Sequence, residues 1–139
     1  MKLLDANIIV YSLGQAHPYK ESCVKVMVKV SQNTSDFAVD AELLQEILHI
    51  FQRRRDLETG IRASEYLVNL FSMVIPITVN EIKLASSLMP RYPRLSARDA
   101  IHAAVVQTHG LEGIVSTDRA FDGIVGLKRY DPAELIGSR

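Results

Sequence analysis

"LSARDAIHAAVVQTHGLEGIVSTD", residues 95–118, contains a helix and the strand it feeds. Ser96 offers a hydroxyl oxygen where the first free amides of a helix need an acceptor, alanines and valines fill the body, and Gly110 stops it. The following GIVSTD, residues 113–118, is a short apolar, β-branched run that reads as a buried strand ending in an acid. Helices that alternate with buried strands imply parallel pairing through right-handed crossovers. The rest of the chain decides whether that alternation holds.

It does in both directions. Leu3-Leu4 starts a short apolar segment, and residues 18–32 (PYKESCVKVMVKVSQ) place Cys23, Val24, Met27, Val28 and Val30 at helical spacing after an opening proline. Residues 36–41 (DFAVDA) read as a brief strand, and residues 41–55 (AELLQEILHIFQRRR) as an amphipathic helix with Leu43, Leu44, Ile47, Leu48, Ile50 and Phe51 on its apolar side. A further helix covers roughly 58–72. SMVIPIT, residues 72–78, has strand composition, with Pro76 marking an edge or an end. Thr78 with Glu81 three residues later is a capping-box signature for the next helix, and LKRYD, residues 127–131, is a last short strand. The expected fold class is α/β: a three-layer α/β/α sandwich with a mostly parallel sheet of about five strands. Its 139 residues, 47% of them hydrophobic, suit one globular domain spanning 1–139.

Composition removes several functions. Cys23 is the only cysteine, so neither an intrachain disulfide nor a cysteine zinc cluster can form, which suits a reducing cytoplasm. No stretch approaches the ~20 apolar residues of a membrane span, and MKLLDAN is not a targeting segment; a soluble, untargeted protein is expected. Sixteen Lys plus Arg balance sixteen Asp plus Glu, so net charge does not advertise nucleic-acid binding, although Arg53-Arg54-Arg55 and Arg91, Arg94 and Arg98 cluster locally. A helix C-terminus would favour the first of these runs without any ligand. There is no G-x-S-x-G elbow, no phosphate-cradling glycine loop, and Cys23 reads as core.

In open α/β sheets ligands bind beyond the carboxyl ends of the strands, and acids stand there. Asp5 follows the first strand, Asp118 follows GIVST, and Asp99 sits in the first turn of the helix that Ser96 caps. Glu42, Glu46, His49 and Arg53 share the polar side of their helix, so either glutamate could face a cleft. Each acid also has a plain structural use. The helix dipole favours Asp99, Asp118 can cap a turn, Asp122 before Gly123 suits a turn, and Glu46 can be solvated. Asp5, flanked by apolar residues on both sides, is the least comfortable of them as mere surface. Convergence of these carboxylates would raise some of their pKa values and favour a divalent cation, and an all-oxygen site points to Mg²⁺ or Mn²⁺ rather than zinc. His102, three residues from Asp99, is expected to pack on the sheet or hydrogen bond a carboxylate rather than ligate metal.

Together LLDANIIVY, LLQEILHIF, LSARDAIHAA and IVSTDRAFD resemble the PIN-domain family and, within it, the ribonuclease toxins of VapBC toxin–antitoxin systems, over nearly the whole chain. Asp5 and Asn7 match the first motif, while Ala6 departs from its usual hydroxyl residue. The resemblance implies a short helix directly after Asp5, where periodicity alone would run the strand through Ile8 to Val10. It implies an acidic quartet of Asp5, Glu46, Asp99 and Asp118, with Glu46 preferred over Glu42, Asp122 as an accessory acid, and Asn7 and Thr117 as polar supports. Asp5 and Asp99 would then be the principal metal ligands, Asp118 a direct or water-mediated one, and Glu46 a ligand or water-orienting base, with Arg53, Arg54 and Arg98 holding substrate phosphates. The implied activity is metal-dependent endonucleolytic cleavage of RNA by a toxin that an antitoxin protein restrains and that commonly forms a homodimer. Two other classes use similar folds. A catalytically inactive PIN-like module that binds RNA or protein need not keep four acids, and a receiver-like phosphoacceptor would want paired acids after the first strand, where Asp5 stands alone.

Overall fold

The computed structural model describes residues 1–137. Its centre is a sheet of four very short parallel strands in the order β2-β1-β3-β4, with β1 Lys2–Leu4, β2 Phe37–Ala38, β3 Gly113–Val115 and β4 Arg129–Tyr130. Leu4 and Val115 face one core, with Phe37 and Val39; Leu3, Ala38 and Ile114 face the other. This period-2 alternation is what makes three layers, because β1, β2 and β3 bury apolar side chains on both faces.

The first layer is α1 Ala6–Leu13, α2 Lys20–Gln32, α3 Ala41–Arg53, α4 Leu57–Leu70 and α7 Pro132–Gly137; the second is α5 Val79–Leu88 and α6 Ala97–Thr108. α3 forms because Asp40 accepts from the Leu43 amide at 2.9 Å and Leu43, Ile47 and Phe51 repeat on one buried stripe. In α6 the small Ala100, Ala103 and Ala104, all fully buried, let the helix lie close on the sheet. Gly110 follows its end at φ 61°, the left-handed geometry that favours glycine after a helix. A side chain at Gly113 would overlap the Lys128 carbonyl, so β3 and β4 could not approach as they do.

One expectation is corrected. The fifth strand, 72–78, contracts to a single parallel bridge between Ile75 and Asp40, held by Ile75 N to Val39 O and Ala41 N to Ile75 O, both 2.9 Å. The partner segment turns into α3 at Ala41, so pairing stops after one bridge, and Pro76 has its missing N–H on the side away from Asp40, where an edge tolerates it. A strand through Ile8 to Val10, the reading from periodicity alone, does not form: the chain turns into α1 at once, as the family resemblance implies, because Asp5 caps it by accepting from the Ala6 amide at 2.7 Å. The capping box of Thr78 and Glu81 is present at the start of α5.

Candidate active site

Four elements deliver the acids. Asp5 ends β1 and caps α1, Glu46 projects from α3, Asp99 sits in the first turn of α6, and Asp118 follows β3 and caps the 3₁₀ turn Arg119–Phe121. Because β1 and β3 are adjacent and parallel, their carboxyl ends lie side by side, and the N-terminus of α6 and the middle of α3 close over them. The four acids line one cleft of about 250 Å³ together with Asn7, Tyr11 and Arg54.

Asp5 is almost fully buried and is held at several points. Ser116 Oγ donates to its Oδ2 at 2.6 Å, Asn7 Nδ2 to the same oxygen at 3.2 Å, and the Ala6 amide to Oδ1. Ser116 also accepts from Asn7 Nδ2 and from the Asp118 amide, so one buried hydroxyl ties the ends of β1 and β3 together. Thr117 contributes its backbone amide, donated to Asn7 Oδ1 at 3.4 Å. Burial raises the Asp5 pKa above the ordinary carboxylate value, with Glu46 adding to it, while His102 and Ser116 act the other way.

His102 is the hinge of the polar network. Its Nδ1 lies 2.7 Å from Asp40 Oδ2 and its Nε2 2.7 Å from Glu46 Oε1, with Asp5 Oδ1 at 3.8 Å. Burial opposes the positive imidazolium, but Asp40, the hydrogen bonds to Asp40 and Glu46, and the charge of Asp5 outweigh it, so its pKa is raised well above the usual histidine value. Donor atoms of Asp5, Glu46 and His102 lie within 4.8 Å of one another. Even so, a histidine with both nitrogens donating to carboxylates has no lone pair for a metal, so it orients Glu46 instead.

Asp99 differs from Asp5 in having no side-chain hydrogen bond among the described residues; only its amide is used, donating to Ser96 Oγ at 3.2 Å. Burial first, then the charges of Asp5 and Asp118, push its carboxyl up to about 7, with His102 pulling the other way. A carboxylate at that value near neutral pH is crowded by like charge and short of cations.

The remaining residues divide. Arg54 lines the cleft and has no carboxylate partner among the described residues. Arg98 stands 3.9 Å from Glu42, whose carboxyl burial also raises, and Arg53 is exposed at the end of α3. Glu42 therefore faces Arg98, while Glu46 faces the cleft. Asp122 does not line the cleft; it takes two hydrogen bonds from Arg129, at 2.8 and 3.3 Å. Ser116 and Asp40 were not singled out from the sequence. Asp40 directly before an apolar helix signals a cap, and Ser116 within IVSTD follows a buried strand, but no local pattern reveals that their partners lie 62 and 111 residues away.

Comparison with known proteins identifies the family. Residues 2–127 match the PIN domain family. The chain is 34% identical over 129 residues to Ribonuclease VapC13 of Mycobacterium tuberculosis (strain ATCC 25618 / H37Rv), covering 93% of this chain and 98% of that protein. It is 30% identical over 145 residues to Ribonuclease VapC7 of the same organism, covering both fully. Among solved structures it resembles FitAcB from Neisseria gonorrhoeae, with a TM-score of 0.73 at 17% identity over 96% of this chain and 99% of that one. It also resembles a toxin–antitoxin complex from Klebsiella pneumoniae, with a TM-score of 0.67 at 18% identity over 95% and 98% of the two chains. Sequence and fold together make this chain a member of the PIN domain family.

Proposed function

We propose that this chain is a metal-dependent endoribonuclease, the toxin of a toxin–antitoxin pair, whose catalytic acids are Asp5, Glu46, Asp99 and Asp118. The observation that carries the reading is their convergence from four elements on one cleft in which Asp99 is raised to about 7. The names of the relatives, ribonucleases VapC13 and VapC7, support the reaction class.

The donor set fits a hard divalent cation, Mg²⁺ or Mn²⁺. Four carboxylates face the cleft, the nearby imidazole of His102 is engaged at both nitrogens, and the crowding evident at Asp99 is relieved by positive charge. Asp5 and Asp99 would be the principal ligands, with Asp118 a further one. Bound there, such a cation supplies a hydroxide near neutral pH and offsets charge on the phosphoryl and leaving oxygens. The protein's part is positioning. Ser116 and Asn7 fix the Asp5 carboxylate, and His102 holds Glu46 by Oε1, leaving Oε2 unengaged among the described residues and available to orient the attacking water. Arg54 meets a substrate phosphate at the rim, and Arg53 and Arg98 add long-range attraction that salt weakens.

A toxin of this kind works in the cytoplasm, with an antitoxin protein as partner. Among the described residues no helix is long and apolar enough to cross a membrane. Leu57, Ile61 and Val68 lie exposed along one side of α4 and support a homodimer, which sedimentation velocity reads as twice the chain mass.

Purified protein incubated with structured RNAs tests the reaction. Cleavage is expected with Mg²⁺ or Mn²⁺ and is expected to stop with EDTA. Asp5→Asn and Asp99→Asn should lower the rate on the order of 10²–10⁴-fold. Cleavage that persists without metal, or in both variants, would overturn the reading.

A further inference from the structure

A second cavity, of about 740 Å³, opens beside the acid cleft, lined by Tyr11, His17, Phe51 and Arg54 among others. The two adjoin: Val10, Tyr11 and Arg54 line both. Its volume falls in the range that holds a small organic ligand.

The wall formed by the α1–α2 connection is built from stacked rings. Tyr11 and His17 stack at 4.4 Å between centroids with 23° between planes, and Tyr19 follows His17 at 5.5 Å and 27°. The connection is tied in place: Lys20 Nζ donates to the Gly14 carbonyl at 2.6 Å, the Lys20 amide to the His17 carbonyl at 2.9 Å, and the Tyr19 amide to His17 Nδ1 at 3.2 Å. With Nδ1 accepting from the Tyr19 amide, the His17 ring is held as an oriented plane. His17 is exposed although its ring is fixed, an arrangement that leaves an aromatic surface for something else to cover. Across the cavity the Arg54 guanidinium lies over the Phe51 ring at 5.7 Å from its centroid and has no carboxylate partner among the described residues.

From the cleft outward, the order of chemistry is therefore carboxylates, then an unpaired guanidinium, then stacked rings. A nucleotide chain presents matching groups: a scissile phosphate, the next phosphate, and a planar base. We propose that this cavity is a nucleobase subsite, in which the base neighbouring the scissile phosphate stacks on the Tyr11–His17 pair while Arg54 holds the intervening phosphate. The inference rests on the ribonuclease reading above and deepens it. A base can enter only when splayed out of a helix, so cleavage falls at unpaired nucleotides, and sequence tolerance is broad because every base has a π-face.

The test uses metal-free full-length protein in EDTA at low salt, so binding is read apart from cleavage. The probes are uridine octaribonucleotides carrying one 2-aminopurine at successive positions, and the same strands annealed to their complements. Wild type should quench the fluorescence at one or two adjacent positions of the single strand, and His17→Ala and Tyr11→Ala should lose that quenching. Their affinity should fall about 5- to 150-fold, the range that loss of one base–aromatic stack allows. Tyr11→Phe and His17→Phe, which keep a ring, should stay within a few-fold of wild type, and duplex binding should not respond to any of the four. Tyr11 is half-buried and packs on the core, so its alanine variant is checked by circular dichroism; exposed His17 carries the result if that variant fails to fold. In RNA cleavage with Mn²⁺, the same loss should appear in KM rather than kcat. If wild type cleaves RNA but His17→Ala binds and cleaves as wild type does, the subsite is overturned and the nuclease stands. Wild type that quenches no position, or single-strand and duplex affinities that fall together, would also overturn it. Position-specific quenching lost in His17→Ala, with no cleavage by wild type under any metal, would keep the subsite as a binding feature and remove the nuclease.

Discussion

Asp99 and Asp122 are both acids near a β-strand's carboxyl end, and the fold gives them opposite surroundings. Asp99 faces Asp5 and Asp118 with no hydrogen-bond donor to its side chain among the described residues, and its carboxyl is raised to about 7. Asp122 meets Arg129, which also reaches Asp131 and the Ser116 carbonyl, and hydrogen bonding to that guanidinium holds the Asp122 carboxyl below its ordinary value. One acid is left wanting a cation, and the other has one built in. Natural folds satisfy buried charge where they can, so a cluster of carboxylates left crowded marks the place where an external cation is expected to complete the structure.

The largest effect should come from removing the cation built into the crowded region. In His102→Ala, Asp40 and Glu46 would face a buried gap with no positive partner, and urea denaturation at pH 7 should show a loss of about 3–5 kcal/mol. A loss below about 1 kcal/mol would mean that water replaces the imidazole and that His102 is not the anchor of Glu46.

The pH dependence of stability sharpens the contrast, because the two acids have opposite signs. In metal-free protein the native state holds a proton on Asp99 up to about pH 7, whereas the unfolded chain releases it near 3.8. Between those values native protein binds more protons, so wild-type stability falls as the pH rises and levels off above 7. Asp99→Asn lacks this penalty. It should gain on wild type across that window by on the order of 1–2 kcal/mol, discounted for the partial exposure of the group. Asp122 works in reverse: its contribution is present above the unfolded value of 3.8 and is lost as the pH falls through its lower native value. Because Asp122 is half-exposed, Asp122→Asn should cost only about 0.2–1 kcal/mol at neutral pH, and the difference should vanish in acid. Denaturation of both variants against wild type from pH 3 to 8 in EDTA reads the two slopes. Slopes of the same sign would mean that Asp99 is not crowded.

The smallest effect should be on catalysis. Asp122→Asn should change RNA cleavage by no more than about 2- to 3-fold, as for surface substitutions generally. A loss as deep as that of Asp99→Asn would bring Asp122 into the reacting group.

The layers of the fold were legible because they depend on local pattern. Ser96, Thr78 and Gly110 mark helix ends by their own chemistry, and Leu43, Ile47 and Phe51 mark a buried stripe by spacing alone. What was not legible depends on partners far along the chain. The strand at 72–78 has strand composition, yet the neighbouring segment turns into α3 at Ala41 and leaves it one bridge. The turn at Asp5 was invisible to periodicity, since Ile8, Ile9 and Val10 are apolar enough for either strand or helix; the capping bond from Ala6 decides it. Asp5, Glu46, Asp99 and Asp118 could be proposed together from their positions at strand ends and helix starts and from the family resemblance. That His102 bridges Asp40 and Glu46, and that Ser116 ties Asp5 to Asp118, could not. Those contacts join side chains whose local surroundings carry no sign of one another.

Titration of Mn²⁺ into EDTA-stripped protein at pH 7.5, followed by electron paramagnetic resonance of the free ion, reads most directly whether the four acids from four elements act as one divalent-cation site. Wild type should take up Mn²⁺ saturably, Asp5→Asn and Asp99→Asn should each weaken uptake at least about 10-fold, and Asp122→Asn should bind as wild type does. Equal uptake by all four proteins, or none by wild type, would contradict the account.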